Sequence, residues 1–207
     1  MGNGPAPPPR LACFYTLRPA MTALTAIELL REVATHPDCA KMNRSTVKGF
    51  LGELLVKQRL EQEGVKVAHL GNQKGYDLEF THQGVAVRVD VKMSLPKDEF
   101  RWGFDYWGWA LQPASKKTIS ATHFVCVGCT DALEVDALFV VRKEDVQKFP
   151  AGERQFKGVL HGLILPVDAQ QAGPTTPSMA FDSSQRLLRS GVVRKVAPTG
   201  SLVAALA

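Results

Sequence analysis

Apolar residues recur every three or four positions over residues 22–33 and again over residues 45–60. This spacing places them on one face of a helix, so it predicts two amphipathic helices near the start of the chain. A threonine near the first start and Ser45 at the second are residue types that cap helices, and Gly64 is a type that commonly follows a helix end. We therefore expect two helices before the first strand.

Short segments with strand character follow Gly64. They are rich in β-branched and aromatic residues and are bounded by glycine, proline or polar residues that favour turns. The predicted strands are Val65–Leu70, Tyr76–Phe80, Val85–Ser94, part of Phe100–Leu111, His123–Cys129, Ala137–Arg142 and, with a weaker pattern, Val159–Val167. This order predicts an α/β fold in which helices flank a central mixed sheet of four to six strands.

The clearest pattern is a hairpin formed by the second and third of these segments. Residues 85–94 alternate without a fault between two sets of side chains, which is the period of a strand with one buried face. The short connection before them ends in Gly84, as hairpin turns commonly do. One face of the hairpin is therefore expected in the core, and the other, with Arg88, Asp90 and Lys92, is expected to present charge.

The composition indicates a folded chain with a mild preference for polyanionic partners. Hydrophobic residues make up 45% of the 207 residues, enough to bury a core, and the formal net charge is +5. No segment approaches the roughly 20 consecutive apolar residues of a membrane-spanning helix, which excludes an integral helical membrane protein. The N-terminal segment is a poor secretory signal, so the expected location is the cytoplasm.

Local composition divides the chain into four parts. The first 21 residues are dense in glycine and proline, which predicts a disordered tail. Residues 22–40 are expected to form a helical extension and residues 41–167 the main domain. Residues 168–207 are expected to form a linker and a basic C-terminal tail, which is either solvated or wraps a polyanion.

Cys126 and Cys129 form a C-x-x-C pattern of the kind found in zinc and redox sites. Both lie in the predicted strand His123–Cys129, and residues three apart on a strand point to opposite faces. They therefore cannot share a metal ion, and we expect buried free thiols in a reducing compartment.

Three acids and a lysine carry the most specific chemistry. Folding the hairpin about its turn places Asp77 opposite or nearly opposite Asp90, with β-carbons about 5 Å apart. Lys92 shares the face of Asp90, and Glu53, at the border of the second helix's apolar stripe, adds a third carboxylate. Converging carboxylates and waters satisfy hard cations such as Mg²⁺, while a nearby lysine orients water or neutralises charge on a phosphate.

These residues stand in a pattern that resembles the PD-(D/E)XK nuclease superfamily, which has the restriction-endonuclease-like fold. The matching segments are Gly49–Glu53 on a helix, Gly75–Asp77 on a strand and Asp90–Lys92 after a hairpin, in the family's αβββαβ order. The resemblance covers residues 45–145, so the main domain is expected to be nuclease-like. Tyr76 replaces the usual proline, and Asp90 is the shorter of two permitted acids; both variations leave the chemistry intact.

The resemblance implies that Asp77 and Asp90 are metal ligands, that Glu53 is an auxiliary ligand or orients one, and that Lys92 activates the attacking water. It implies a Mg²⁺-dependent DNA endonuclease of restriction-like or homing type, with Mn²⁺ as a substitute ion. Cleavage of both strands would call for a homodimer. The alternatives are a non-catalytic nucleic-acid-binding module of the same fold, a junction-resolving or RNA-directed relative, and an ordinary solvated hairpin face without function.

Weaker candidates for nucleic-acid contact lie outside this cluster. Basic side chains meet phosphates and aromatic rings stack on bases, although aromatic residues more often simply fill a core. The candidates are Lys41, Arg44, Lys48, Arg101, Trp102, Lys116 and Lys117. Glu79 shares a face with Asp77 and, on spacing alone, is a further candidate for the metal shell.

Overall fold

The computed structural model describes residues 23–36, 44–70, 75–99, 104–111, 120–149, 151–152, 160–168 and 179–207. The helices of these ranges are α1 (Ala23–Thr35), α2 (Arg44–Gln62), α3 (Met179–Arg189) and α4 (Leu202–Leu206), with a 3₁₀ helix over Lys143–Lys148. The strands are β1 (Ala68–His69), β2 (Leu78–His82), β3 (Val85–Ser94), β4 (Lys97–Glu99), β5 (Phe104–Leu111), β6 (His123–Cys129), β7 (Val135–Arg142), β8 (Ala151–Gly152), β9 (Leu160–Pro166) and β10 (Val193–Val196). No helix in the described ranges is long and apolar enough to cross a bilayer.

The larger of two sheets is the centre of the fold. Its six strands lie in the order β1-β2-β3-β6-β7-β10, with β3 and β6 parallel and the other neighbours antiparallel. Helices α2 and α4 pack on one face, and α3 and the smaller sheet cover the other. The predicted α/β fold, with a central mixed sheet of four to six strands flanked by helices, is confirmed.

The smaller sheet has the strand order β4-β5-β9-β8 and is antiparallel. Trp107 and Trp109 of β5 are buried, and their indole N–H groups donate to carbonyl oxygens of β6. These members of the aromatic segment therefore fill the core. Of the described residues between β3 and β6, those in regular structure form β4 and β5 and none forms the helix that the αβββαβ order has there.

Most predicted strands are present, and β3 and β6 have the predicted bounds. The strand expected over Val65–Leu70 is reduced to β1, an edge strand that pairs only with the first two residues of β2. Helix α2 begins at Arg44, so Ser45 lies inside the helix and does not cap it. The predicted tail over residues 1–21 lies outside the described residues.

The prediction of a linker and basic tail over residues 168–207 is wrong for residues 179–207. This segment forms α3, β10 and α4, and β10 pairs with β7 in the central sheet. Leu187, Val193 and Leu202 are buried. Each element is short and is stabilised by packing on distant residues, which local periodicity does not reveal. At the other end, α1 packs on α2 through Ile27, which is buried in a separate apolar cluster with Leu51 and Leu133.

Strands β2 and β3 form the predicted hairpin, whose register pairs Leu78 with Val89. Gln83 and Gly84 connect the strands with φ angles of 49° and 79°. Two residues with positive φ are typical of the type I′ turn, whose twist matches that of the flanking strands. The alternating face that includes Val89 and Val91 is buried in the core against α2.

Both described cysteines are buried and free, as predicted. Cys126 belongs to the core on the side of the smaller sheet, and Cys129 belongs to the core on the side of α2. Their opposite orientation is therefore confirmed. Burial raises the pKa of both thiols, which keeps them protonated and poor metal ligands.

Glu63→Gln is expected to lower the free energy of unfolding by about 1–2 kcal/mol at pH 7, because Glu63 holds the start of α4 by charge-assisted hydrogen bonds. Its carboxylate accepts from the N–H groups of Leu202 and Val203 and from the Ser201 hydroxyl. Burial alone would raise the pKa of Glu63, but these donors, with Arg59, lower it. The stabilisation is therefore present above the unfolded-state pKa and is lost as the pH falls through the folded-state value.

Urea unfolding between pH 3 and pH 7 measures this effect. The difference between the parent and Glu63→Gln should shrink toward zero at the acidic end. Glu61→Gln is the matched control, since Glu61 pairs with Lys57 on the surface of α2 and such pairs contribute less than about 0.5 kcal/mol. A difference for Glu63→Gln that did not change with pH would contradict the role of the charge.

Candidate active site

A cleft of about 580 Å³ opens where the end of β3 faces the first half of α2 and the smaller sheet. Its lining contains two acids, three lysines and Ser94 at the end of β3. The charged residues are Lys48, Glu53, Asp77, Lys92 and Lys97. Three of the four predicted catalytic residues therefore line one cleft, and the fourth, Asp90, lies directly beside Lys92.

Asp77 is fixed by the hairpin through both its main chain and its side chain. The last regular pair of the hairpin is Leu78 with Val89. The N–H group of Asp77, one residue before Leu78, donates to the carbonyl of the same Val89 over 2.9 Å. Its Oδ2 accepts from the N–H of Val91 over 2.7 Å, so the carboxylate takes the place of a main-chain acceptor. Asp77 is consequently held at the point where β2 and β3 separate, and it is 5% exposed.

Asp90 and Lys92 form an ion pair on the face of β3 that turns toward the smaller sheet. Asp90 is 7% exposed, and its Oδ1 lies 2.5 Å from Nζ of Lys92. The pair is close but poorly aligned, so that within the described residues the buried Oδ1 has no well-directed hydrogen-bond donor. The arrangement leaves a buried anionic oxygen whose charge is only partly compensated.

Burial raises the pKa of both aspartates. For Asp77, the N–H of Val91 opposes this effect, and the negative charge of Glu53 adds to it. For Asp90, the charge of Lys92 opposes it, and the charge of Asp77 adds to it. The structure thus concentrates negative charge where it is costly, which is typical of a site completed by a cation.

Glu53 has a partner that the sequence did not indicate. Its Oε2 lies 2.6 Å from Nε2 of His69 in β1, and the ring of His69 is in tilted contact with Phe50, with 5.2 Å between ring centroids. His69 belongs to a two-residue edge strand, and nothing in its local sequence marks it as functional. Only the packing of β1 beside α2 brings it to Glu53.

Glu79 is held by residues other than the predicted ligands. Its Oε2 accepts hydrogen bonds from Nε of Arg88 and from the Tyr76 hydroxyl, both over 2.8 Å. The Arg88 guanidinium also lies over the Tyr76 ring, 5.4 Å from its centroid. The structure therefore gives Glu79 a pairing role at the base of the hairpin, and Glu79 is not among the residues that line the cleft.

The predicted nucleic-acid contacts are described only in part. Lys48 lines the cleft, and Lys97 of β4, which was not predicted, lines it as well. Nζ of Lys97 donates to the carbonyl of Gly108 in β5 over 3.1 Å. Arg44 begins α2, but its side chain lies outside the described atoms. The remaining candidates, Lys41, Arg101, Trp102, Lys116 and Lys117, lie outside the described residues.

The carboxylates of the site suit a hard divalent cation that keeps part of its water shell. They do not suit a cation whose ligands all come from the protein. Within the described ranges, no group of three or more His, Cys, Asp or Glu side chains is close enough to hold a metal ion. Mg²⁺, however, usually keeps several waters and needs one or two carboxylates from the protein. Asp77 and Asp90 provide two such carboxylates, and Oδ1 of Asp90 lacks a well-directed donor among the described residues.

Gly52→Ala is expected to destabilise the fold by about 1 kcal/mol, because an added β-carbon would lie 3.0 Å from Cβ of Met93. Gly49→Ala is the matched control on the same helix, since nothing lies within 4 Å of its added β-carbon. That variant should be neutral or gain up to about 1 kcal/mol of helix propensity. Urea unfolding of both variants measures the free energies of unfolding. Equal free energies for the two variants would contradict the prediction and show that α2 can move away from β3 at little cost.

Comparisons with known proteins find similarity to solved structures only at the level of the fold. No protein-family model matches the chain, and no curated protein matches it. A structure described as a bacterial homing endonuclease, I-Ssp6803I, is similar at 15% sequence identity, with 71% of this chain and 95% of that chain covered and a TM-score of 0.42. Similarity at this TM-score does not indicate what activity this chain has.

Proposed function

We propose that this chain is a metal-dependent nuclease that hydrolyses phosphodiester bonds of DNA, as a restriction-like or homing-type endonuclease of the PD-(D/E)XK superfamily. The observation that supports it is the burial of Asp77 and Asp90 together at the separation of two strands, beside a cleft that Lys92 and Glu53 also line. Buried like charges are costly and are retained at sites where they bind or react.

The residues divide the chemistry between them. Asp77 and Asp90 hold Mg²⁺ or Mn²⁺, which when bound polarises the phosphate and neutralises its developing charge. Lys92, whose side chain is 37% exposed, is positioned by Asp90 and extends to the cleft, where its ammonium holds a water or a phosphate oxygen. Lys48 and Lys97 lie along the same cleft and contact neighbouring phosphates of the strand.

Burial also weighs against the plainest alternative. An ordinary solvated hairpin face would leave its acids exposed, whereas Asp77 and Asp90 are 5% and 7% exposed. A non-catalytic nucleic-acid-binding module would use the lysines but has no need of two buried carboxylates. Because one such cleft cuts one strand, the proposal extends to a homodimer for cleavage of both strands.

Incubation of the full chain with supercoiled plasmid tests the proposal. Nicked or linear product is expected with Mg²⁺ or Mn²⁺ and none with excess EDTA, and Asp77→Asn should give no product. Single-stranded RNA and a four-way DNA junction, assayed in parallel, separate the RNA-directed and junction-resolving relatives. Binding of plasmid by parent and Asp77→Asn alike, without cleavage of any substrate by either, would instead identify a binding module.

A further inference from the structure

His69 makes a short polar contact with Glu53, which lines the cleft, and the proposed chemistry does not use this contact. The two side chains are 18% and 11% exposed, and Nε2 of His69 lies 2.6 Å from Oε2 of Glu53. A buried carboxylate without a donor or cation is costly, and His69 supplies that donor. A carboxylate accepts hydrogen bonds and an imidazole N–H donates them, so the contact suits the tautomer of His69 that carries its hydrogen on Nε2.

His69 is itself held in place from several sides. Strand β1 pairs His69 with Leu78, and the next residue, Leu70, donates its N–H to the carbonyl of Asp77 over 2.9 Å. The ring of Phe50, one helical turn before Glu53, packs against the imidazole. His69 therefore contacts the carboxylate of Glu53 while the next residue is hydrogen-bonded to the main chain of Asp77. This short segment links the two acids.

We infer that His69 is a positioning residue, whose Nε2–H group holds the Glu53 carboxylate in one orientation at the cleft where Asp77 and Asp90 bind the cation. This inference rests on the proposed function. Glu53 reaches the cleft through three rotatable side-chain bonds, and a hydrogen bond to one oxygen removes most of that freedom. Groups that orient metal-binding carboxylates in this way commonly contribute about 10–100-fold to metal affinity.

Equilibrium binding of Mn²⁺ to the full chain, measured by calorimetry without DNA, tests the inference. His69→Leu keeps the bulk but removes the donor, and it should weaken Mn²⁺ binding by about 10–100-fold. His69→Gln, whose amide N–H reaches a similar position, should recover most of the affinity. His69→Asn, whose shorter amide does not reach Glu53, should behave like His69→Leu and serves in its place if that variant does not fold.

A double-mutant cycle separates positioning from a general structural role. In a Glu53→Ala background, His69→Leu should cause no further loss of Mn²⁺ affinity, because the carboxylate it holds is absent. Additive losses would overturn the inference, as would His69→Leu with parental affinity. Thermal unfolding in EDTA should show each variant folded, and His69→Gln should not differ from the parent in affinity by more than a few fold.

The outcomes distinguish this inference from the proposed function. A parent chain that binds no Mn²⁺ overturns both. A parent chain that binds Mn²⁺, loses it in Asp77→Asn and keeps it in His69→Leu overturns the role of His69 alone. Loss in Asp77→Asn and in His69→Leu, with recovery in His69→Gln, supports both.

Discussion

Asp90→Asn is expected to reduce plasmid cleavage by about 100–1000-fold and, in metal-free buffer at pH 7, to raise the melting temperature. The amide keeps the shape of Asp90 beside Lys92 but is a much weaker cation ligand. It also removes a carboxylate whose pKa burial raises, and whose ionisation therefore opposes folding. A gain of about 1 kcal/mol corresponds to about 2–4 °C for a chain of this size.

The pH dependence fixes the sign of the stability effect. Because the folded-state pKa of Asp90 lies above its unfolded value, the folded chain binds the proton more tightly. Below the unfolded value, near 3.9, the side chain is neutral in both states and carries no penalty. The penalty grows as the pH rises through the folded-state pKa, so the advantage of Asp90→Asn should grow from near zero in acid to its full size at neutral pH.

Melting curves in EDTA from pH 4 to pH 7.5, together with plasmid cleavage in Mg²⁺, measure both effects. Asp131→Asn is the control, since Asp131 is exposed in the turn between β6 and β7 and should change neither quantity. Retained cleavage with a lower melting temperature at neutral pH would show that Asp90 is a structural member of an ion pair and not a metal ligand.

The hairpin could be predicted because its determinants are local. Alternation over residues 85–94 fixes which face is buried, and Gly84 with Gln83 fixes the turn and hence the register. That register pairs Leu78 with Val89 and so carries Asp77 and Asp90 to the same end of the hairpin, while their joint role as metal ligands stays a prediction.

The burial of those acids could not be predicted from the hairpin. The face that carries Asp90 and Lys92 was expected to present charge, but it also borders Phe124 and Cys126 of the parallel strand β6. The smaller sheet covers this face, and Gly108 of β5 donates its N–H to the Ser94 hydroxyl at the end of β3. A sheet formed from β4, β5, β8 and β9 depends on pairings distant in sequence.

The same reason explains why the sequence did not reveal Lys97, which lines the cleft, or His69, which contacts the cleft residue Glu53. Lys97 reaches the cleft because β4 pairs with β5, which in turn packs over the end of β3. His69 reaches Glu53 because the edge strand β1 lies beside α2. Neither shares a helix face or a strand face with Glu53, Asp77 or Asp90, so no spacing rule links them.

Lys92→Ala is expected to reduce the turnover number for cleavage by about 100-fold or more while changing the Michaelis constant little, because the ammonium acts on the reacting water or phosphate. Lys48→Ala and Lys97→Ala are the comparison, since both residues line the same cleft but are not in the proposed metal site. They should mainly raise the Michaelis constant and reduce the salt dependence of DNA binding. Steady-state cleavage of a short labelled duplex at several salt concentrations distinguishes the two patterns.

Lys92→Ala should also destabilise the chain, in contrast to Asp90→Asn. It leaves Oδ1 of Asp90 buried without its cationic neighbour, at a cost of about 1–2 kcal/mol once the partial exposure of Lys92 is allowed for. Adding Asp90→Asn to Lys92→Ala should restore most of that loss, because the buried group is then neutral, yet it should not restore cleavage. Unfolding of the single and double variants in EDTA measures this coupling, and strictly additive changes would mean that Lys92 does not compensate the charge of Asp90.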